Sequence, residues 1–304
     1  MYHYIKKYDS KFPNFRYLDF DNFKLQLDFF ENNYGFVTKY EWNKFIDEGL
    51  YPNKKGKVLL TFDDGLDCHY EFVYKELKKR NLWGIFYIPG MPYYENKLLD
   101  VHKIHLLTGA FSSQELFQSL RKYLDQDMIP DEKRSDFRNN TYINQRDLSG
   151  INNFKRVLNY YISYEHRTKI IEKIAKDLDY FFDAEDFYLK DNHLHEMINN
   201  GMILGAHSYS HPVMSKLSLD EQKFEIKKSL DIFQLLGIKT TNTYCHPYGG
   251  FHSFNKDTLK VLNQESVRYS FNVEAREINH LDFSISIQFL PRFDCNMFPF
   301  GKTS

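Results

Sequence analysis

Apolar positions in this chain change rhythm three times. Phe23, Leu27 and Phe30 recur at helical spacing and predict an amphipathic helix from about Asp21 to Asn33. Lys57 to Phe62, built around Val58-Leu59-Leu60, reads as a fully buried strand, and a helix from about His69 to Arg80 follows. Asn81 is a helix stop ahead of the next apolar run, Gly84-Ile85-Phe86-Tyr87-Ile88. Strand, helix, strand in this order is the mark of a parallel sheet.

From about Met91 to Lys190 the strand signals cease and helices take over. Ser112 to Glu115 forms a capping box. Phe154, Leu158, Tyr161 and Ile162 mark a second helix, and Ile170, Ile171, Ile174 and Leu178 a third. The first rhythm then resumes. A helix near His193 to Asn200 stops at Gly201, and Met202-Ile203-Leu204 leads into His207. A capping box from Ser218 to Glu221 opens a helix that ends at Gly237, and strands are expected near Thr241 to Cys245, Val267 to Val273 and Ser284 to Leu290. The pattern predicts a β/α barrel as one domain over residues 1–304, interrupted by a helical insertion over residues 91–190. An insertion of that size exceeds ordinary loop length and suggests a lid or docking surface.

Chemistry concentrates where the apolar runs end, which in parallel sheets is where active sites gather. Thr61-Phe62-Asp63-Asp64-Gly65 closes the first buried strand. Two adjacent carboxylates there are costly unless a cation or a reaction uses them. Taken alone, Asp-Asp-Gly is more often a surface turn. His207-Ser208-Tyr209-Ser210-His211 closes a later run, and two histidines plus one aspartate suit a divalent metal while leaving a carboxylate as base. Tyr244-Cys245-His246-Pro247-Tyr248-Gly249-Gly250 ends a third, with a Pro and paired Gly that allow a tight loop.

Composition narrows the alternatives only slightly. A net charge of -1 gives no electrostatic case for nucleic acid. No window approaches a membrane span, and the N-terminus lacks a run of signal-peptide length. The three cysteines, Cys68, Cys245 and Cys295, have no CxxC spacing, which argues against a disulfide framework. A cytoplasmic location is the expectation.

Thr61-Phe62-Asp63-Asp64-Gly65, the His-x-x-x-His of His207 and His211, and Pro247-Tyr248-Gly249 resemble, in order, the first three motifs of the polysaccharide deacetylases, carbohydrate esterase family 4. Tyr2-His3, the Phe23 to Tyr40 segment, the Gly84 to Ile88 run and the approach from Met197 to Gly205 also look like the family. The resemblance covers roughly residues 1–90 and 190–300. It implies an α/β fold, a distorted (β/α)7-type, TIM-like barrel, carrying the helical insertion. It implies one divalent metal, most often zinc (cobalt, nickel or manganese being possible), on Asp64, His207 and His211. Asp63 would be the general base, and the backbone N–H of Tyr248 an oxyanion donor. The reaction would be N-deacetylation of an acetamido sugar, with a small nucleotide- or lipid-linked glycan precursor as the expected substrate.

Two positions depart from the family. Its third motif has Arg two residues before the Pro, where this chain has Cys245; Arg292 in Leu290-Pro291-Arg292-Phe293-Asp294 is the expected substitute, held by Asp294. The C-terminal Leu-x-His motif that supplies an acid is absent, leaving His246, His252, His280, His102 and His105 as candidates. Three rival readings stay open: a mononuclear iron oxygenase with a two-histidine, one-carboxylate triad, a hydrolase of another C–N bond such as a formamide or cyclic imide, and an inactive sugar-binding relative.

Overall fold

Strands β3 (Thr61–Phe62), β4 (Ile85–Ile88), β5 (Ile203–Ala206), β6 (Thr243–Cys245) and β7 (Tyr269–Phe271) form one parallel sheet in the order β3-β4-β5-β6-β7. They belong to a computed structural model that describes residues 1–52, 56–134, 150–285 and 287–303. A separate parallel pair, β1 (Ile5–Lys6) and β2 (Leu18–Asp19), precedes them. The chain divides into two compact units, Met1–Lys7 with Tyr17–Lys97 and Ala184–Ser304, and Tyr8–Arg16 with Leu98–Asp183.

In the first unit the five strands curl into a barrel that single parallel bridges extend at both edges. Tyr2 pairs with Phe62 on one side and Leu290 with Phe271 on the other. The Met1 amine donates to Phe293 O at 2.7 Å, and Cys295 N donates to Met1 O at 3.1 Å, so the two added segments meet. Side chains alternate with the strand period. Phe62, Phe86, Leu204 and Tyr244 cluster with Phe23, Leu27 and Ile226 of the flanking helices. Ile85, Tyr87, Ile203, Cys245 and Phe271 turn the other way and cluster with Trp42 and Phe45. Thr61 and Asp63 flank Phe62, so the same alternation sends them to the side of Tyr87 and Cys245.

Local signals explain most helix limits. Asp19 caps the helix Phe20–Asn33 by accepting from Asp21 N at 2.8 Å, and capping boxes open Lys39–Glu48 at Thr38 and Leu219–Leu235 at Ser218. The segment expected as one helix from His69 to Arg80 begins with wide π turns at His69–Tyr74 and becomes α-helical at Lys75–Lys79.

The strand expected over Ser284 to Leu290 is not formed. His280–Ile285 is a helix and Ile287–Phe289 a 3-10 turn, which leaves Leu290 to pair with Phe271; Ser286 lies outside the described residues. The alternating apolar residues there suggest a strand, but Asp282 accepts from Asn279 N at 2.8 Å and is gripped by Arg276. That side-chain cap starts a helix before the alternation can act.

The second unit is helical, with Asp100–Ala110, Ser113–Tyr123, Gly150–Arg156 and Tyr164–Asp177 around Ile104, Leu107, Leu116, Phe154, Leu158, Ile170 and Ile174. Residues 135–149 of the expected insertion lie outside the described residues. Phe15 packs against Gly109, where a Cβ would lie 2.5 Å from its ring. Among the described residues no helix is long and apolar enough to cross a membrane.

Candidate metal and catalytic site

Asp64 follows β3 with φ +81, a left-handed turn that reverses the strand's alternation and leaves adjacent carboxylates free to serve different partners. His207 extends β5, its N–H donating to Ile88 O at 3.0 Å. The loop after it doubles back through Ser208 and His211, at φ +60 and +58, and Ser208 Oγ accepts from His211 N at 2.9 Å. His207 Nε2 and His211 Nε2 thereby come to 3.3 and 3.4 Å from Asp64 Oδ1, and all three side chains are buried. His207 Nδ1 lies 2.9 Å from Cys245 O, an acceptor only, so it carries the proton and Nε2 keeps its lone pair. Two imidazole nitrogens and one carboxylate oxygen converging in a buried place fit a divalent ion such as zinc.

Asp63, His207 and Cys245 also bring donor atoms within 4.8 Å of one another. A cation already fills that space. Arg292 Nη2 lies 2.9 Å from Cys245 Sγ and 2.8 Å from Asp63 Oδ2, while Nη1 is 2.8 Å from Asp63 Oδ1 and 3.1 Å from Thr61 Oγ1. Arg292 Nε donates to Asn272 O at 3.0 Å. Burial alone would raise the Asp63 carboxyl, but Arg292 outweighs it and holds the group well below the ordinary carboxylate range. A fork matched to both oxygens fixes the plane of Asp63 as well as its charge. Asp294 does not hold this arginine by the expected route; its carboxylate accepts from Asn296 N at 3.0 Å and caps the turn Cys295–Met297.

Tyr248 completes the cluster, its ring 4.9 Å from that of His211. Its φ of +62 is sustained by Gly249, whose O accepts from Val273 N at 2.8 Å and where a Cβ would meet Val273 Cγ2 at 2.2 Å. Nine non-glycine residues among those described have positive φ, and Asp64, Ser208, His211 and Tyr248 are four of them. Backbone strain of this kind costs about 1–3 kcal/mol per residue and gathers where function over-determines geometry.

The histidines considered as acids separate. His246 is buried, with Nε2 2.9 Å from Gln288 O and its ring stacked on Phe254 at 4.0 Å; burial pushes it down to about 4. His252 and His280 are exposed, and His102 and His105 belong to the helical unit. Sequence reasoning overlooked His3. Tyr2 O accepts from Asp63 N at 2.9 Å, which brings the next residue in the chain, His3, alongside the end of β3. The signal was available: Tyr2-His3 closes an apolar start as Ala206-His207 closes β5. It also overlooked Glu225, which is buried on the helix Leu219–Leu235.

Residues 166–270 match the polysaccharide deacetylase family model, a span that contains His207, His211 and Tyr248. No curated protein sequence matches the chain. Among solved structures, the fold is similar to the Streptococcus pyogenes deacetylase PplD in complex with acetate, with a TM-score of 0.56 and 17% identity over 96% of this chain and 88% of that one. It is also similar to a de-N-acetylase from Aggregatibacter actinomycetemcomitans, with a TM-score of 0.52 and 14% identity over 96% of this chain and 92% of that one. At these identities the structures speak to the fold, and the family match adds the sequence. Residues 166–270 thus carry the sequence pattern of the polysaccharide deacetylases, and the chain shares its fold with these solved deacetylases.

Proposed function

We propose that the chain is a metal-dependent hydrolase that removes the N-acetyl group of an acetamido sugar. The observation that carries this reading is a buried two-histidine, one-carboxylate set beside a second carboxylate, Asp63, that has an arginine of its own. Asp64, His207 and His211 would hold one divalent ion, with zinc the best match and cobalt, nickel or manganese as alternatives. Bound there, the ion supplies Lewis acidity at the amide carbonyl and lowers the pKa of a water ligand.

Asp63 takes a proton from the attacking water as its oxygen adds to the carbonyl carbon. Its depressed pKa makes it a modest base but keeps it ionised in a buried setting, where an unpaired carboxyl would protonate. Arg292 holds the carboxylate in plane. The backbone N–H of Tyr248 serves the developing oxyanion, a contribution typically worth about 10²–10³ in rate. The C–N bond then breaks, acetate retains the new C–O bond, and the nitrogen leaves with a proton from His3. His3 receives this role because Tyr2, next to it in the chain, pairs with Phe62 and accepts from Asp63 N, while His246 is committed to Gln288. His3→Gln should lower kcat by about 10²–10⁴ and keep the metal; unchanged turnover assigns the proton elsewhere. Arg292→Lys keeps the charge but loses the fork, and should cost about 10–100-fold in kcat with metal affinity little changed. A larger loss of metal than of turnover would refute its role at Asp63.

The Asp63–Arg292 pair favours catalysis over an inactive sugar-binding role, since binding sugar requires no ionised base. The substrate is proposed to be a small nucleotide- or lipid-linked glycan precursor, met in the cytoplasm during assembly of a surface polysaccharide or glycoconjugate. The choice is motivated by chain order, since most of the helical unit is inserted between β4 and β5, and β5 leads into the His207–His211 loop. Acetate release from such precursors by zinc- or cobalt-loaded protein tests the proposal. Robust activity on polymeric chitin or peptidoglycan, with none on small or carrier-linked acetamido sugars, would overturn the choice of substrate; release of formate or ring opening of a cyclic imide instead would overturn the reaction.

A further inference from the structure

Between His207 and His211 the backbone is held from outside the loop by one carboxylate. Glu225 Oε2 accepts from Tyr209 N at 2.9 Å and from Ser210 N at 2.8 Å, and Glu225 Oε1 accepts from Ser210 Oγ at 2.5 Å. The helix Leu219–Leu235 that carries Glu225 begins at the Ser218 capping box and packs Ile226 and Phe233 into the barrel's outer core, so the carboxylate has a rigid mount. The loop it grips is strained at both ends, with Ser208 at φ +60 and His211 at φ +58. Glu225 is 6% exposed, and leaving such a carboxylate in place is costly unless hydrogen bonds satisfy it.

We propose that Glu225 is a positioning residue that sets the spacing of the two histidines: by clamping Tyr209 and Ser210 it holds His207 and His211 with both Nε2 atoms turned to Asp64. This rests on the metal-dependent reading above and extends it to a residue that touches neither metal nor substrate. Three hydrogen bonds to the loop would be lost together on truncation, and the two left-handed residues could then relax toward ordinary φ. The rings would separate and the ligand set would open. Tyr209 adds a second anchor, since its hydroxyl bonds Glu95 and its ring packs against Gly90.

The chemistry separates a clamp from a charge. Glu225→Gln removes the charge, yet its oxygen can still accept from both backbone N–H groups and its amide can donate to Ser210 Oγ. Glu225→Ala removes every bond. Cobalt or zinc affinity should fall about 10–100-fold in Glu225→Ala, as for other groups that orient metal ligands, and stay within about threefold of wild type in Glu225→Gln. Ser210→Ala, which removes one bond without emptying the core, should weaken affinity in the same direction by a few-fold and guards against a truncation that does not fold. Amide exchange at Tyr209 and Ser210, followed without metal, should be slow in wild type and Glu225→Gln and fast in Glu225→Ala. Wild-type metal affinity and slow exchange in Glu225→Ala would overturn the proposal, as would equal loss in the Gln and Ala variants. If the wild-type chain binds no divalent ion, the metal-dependent reading falls, and exchange alone still decides whether Glu225 clamps the loop.

Discussion

Asp63→Asn should abolish most turnover while leaving the metal in place. The substitution keeps the size of the side chain and an oxygen facing Arg292, but it removes the group assigned to accept the water proton, a loss typically of about 10²–10⁴ in kcat. Asp64, the carboxylate nearest both imidazoles, is untouched, with its Oδ1 3.3 and 3.4 Å from the two Nε2 atoms. Metal content close to wild type with turnover near background is therefore the expected pair of results. Turnover within a few-fold of wild type would mean that another residue is the base.

The same variant carries a stability signature. The folded-state pKa of Asp63 lies below its unfolded value, with burial opposed and outweighed by Arg292. Its contribution to stability is thus complete above the ordinary carboxylate value of about 3.9 and is lost as pH falls toward the depressed folded value. In the variant Arg292 stays buried without its counter-charge, and breaking buried pairs of this kind costs about 3–5 kcal/mol at most sites. Denaturant unfolding should show the gap between wild type and Asp63→Asn fully at neutral pH and narrowing below about pH 4. A gap that does not change with pH would mean the pair contributes nothing through its charge.

The residues legible in the sequence were those whose chemistry sits next to a strand end. Asp63, Asp64, His207, His211 and Tyr248 each follow an apolar run, and a parallel sheet brings such positions to one face whatever the loops do. Arg292 was legible for the same reason, once Cys245 had left its space open. The fork reaches Asp63 because Leu290, two residues earlier, pairs with Phe271 and carries the chain back to the sheet. Where reading failed, the deciding interactions were between residues distant in sequence or between side chain and backbone. The strand expected over Ser284 to Leu290 gave way to a cap made by Asp282, which hydrophobic alternation does not register. His3 depends on a single bridge between Tyr2 and Phe62, sixty residues apart by position and too short to show as a strand. Glu225 lies on a well-marked amphipathic helix, where a glutamate is ordinarily solvent-facing. Only its contacts with Tyr209 and Ser210 reveal its use.

His207→Ala should lose metal and activity together. It removes one of the three converging donors, together with the Nδ1 contact with Cys245 O that sets that ring's own tautomer, so no rearrangement of the same loop restores the ligand number. His211 alone with Asp64 would leave two donors, fewer than the three protein ligands usual for a catalytic zinc site. The thermal behaviour separates ligand loss from a damaged fold. A metal that binds the folded state stabilises it by about 2.7 kcal/mol at a free concentration one hundred times Kd, so chelation should lower the Tm of the wild-type protein. The Tm of His207→Ala should be insensitive to chelator and should lie near that of metal-stripped wild type. Asp63→Asn, by contrast, should keep the full chelator response. Elemental analysis showing stoichiometric metal in His207→Ala, or a chelator shift as large as in wild type, would remove His207 from the ligand set and with it the assignment of Asp64 and His211 as its partners.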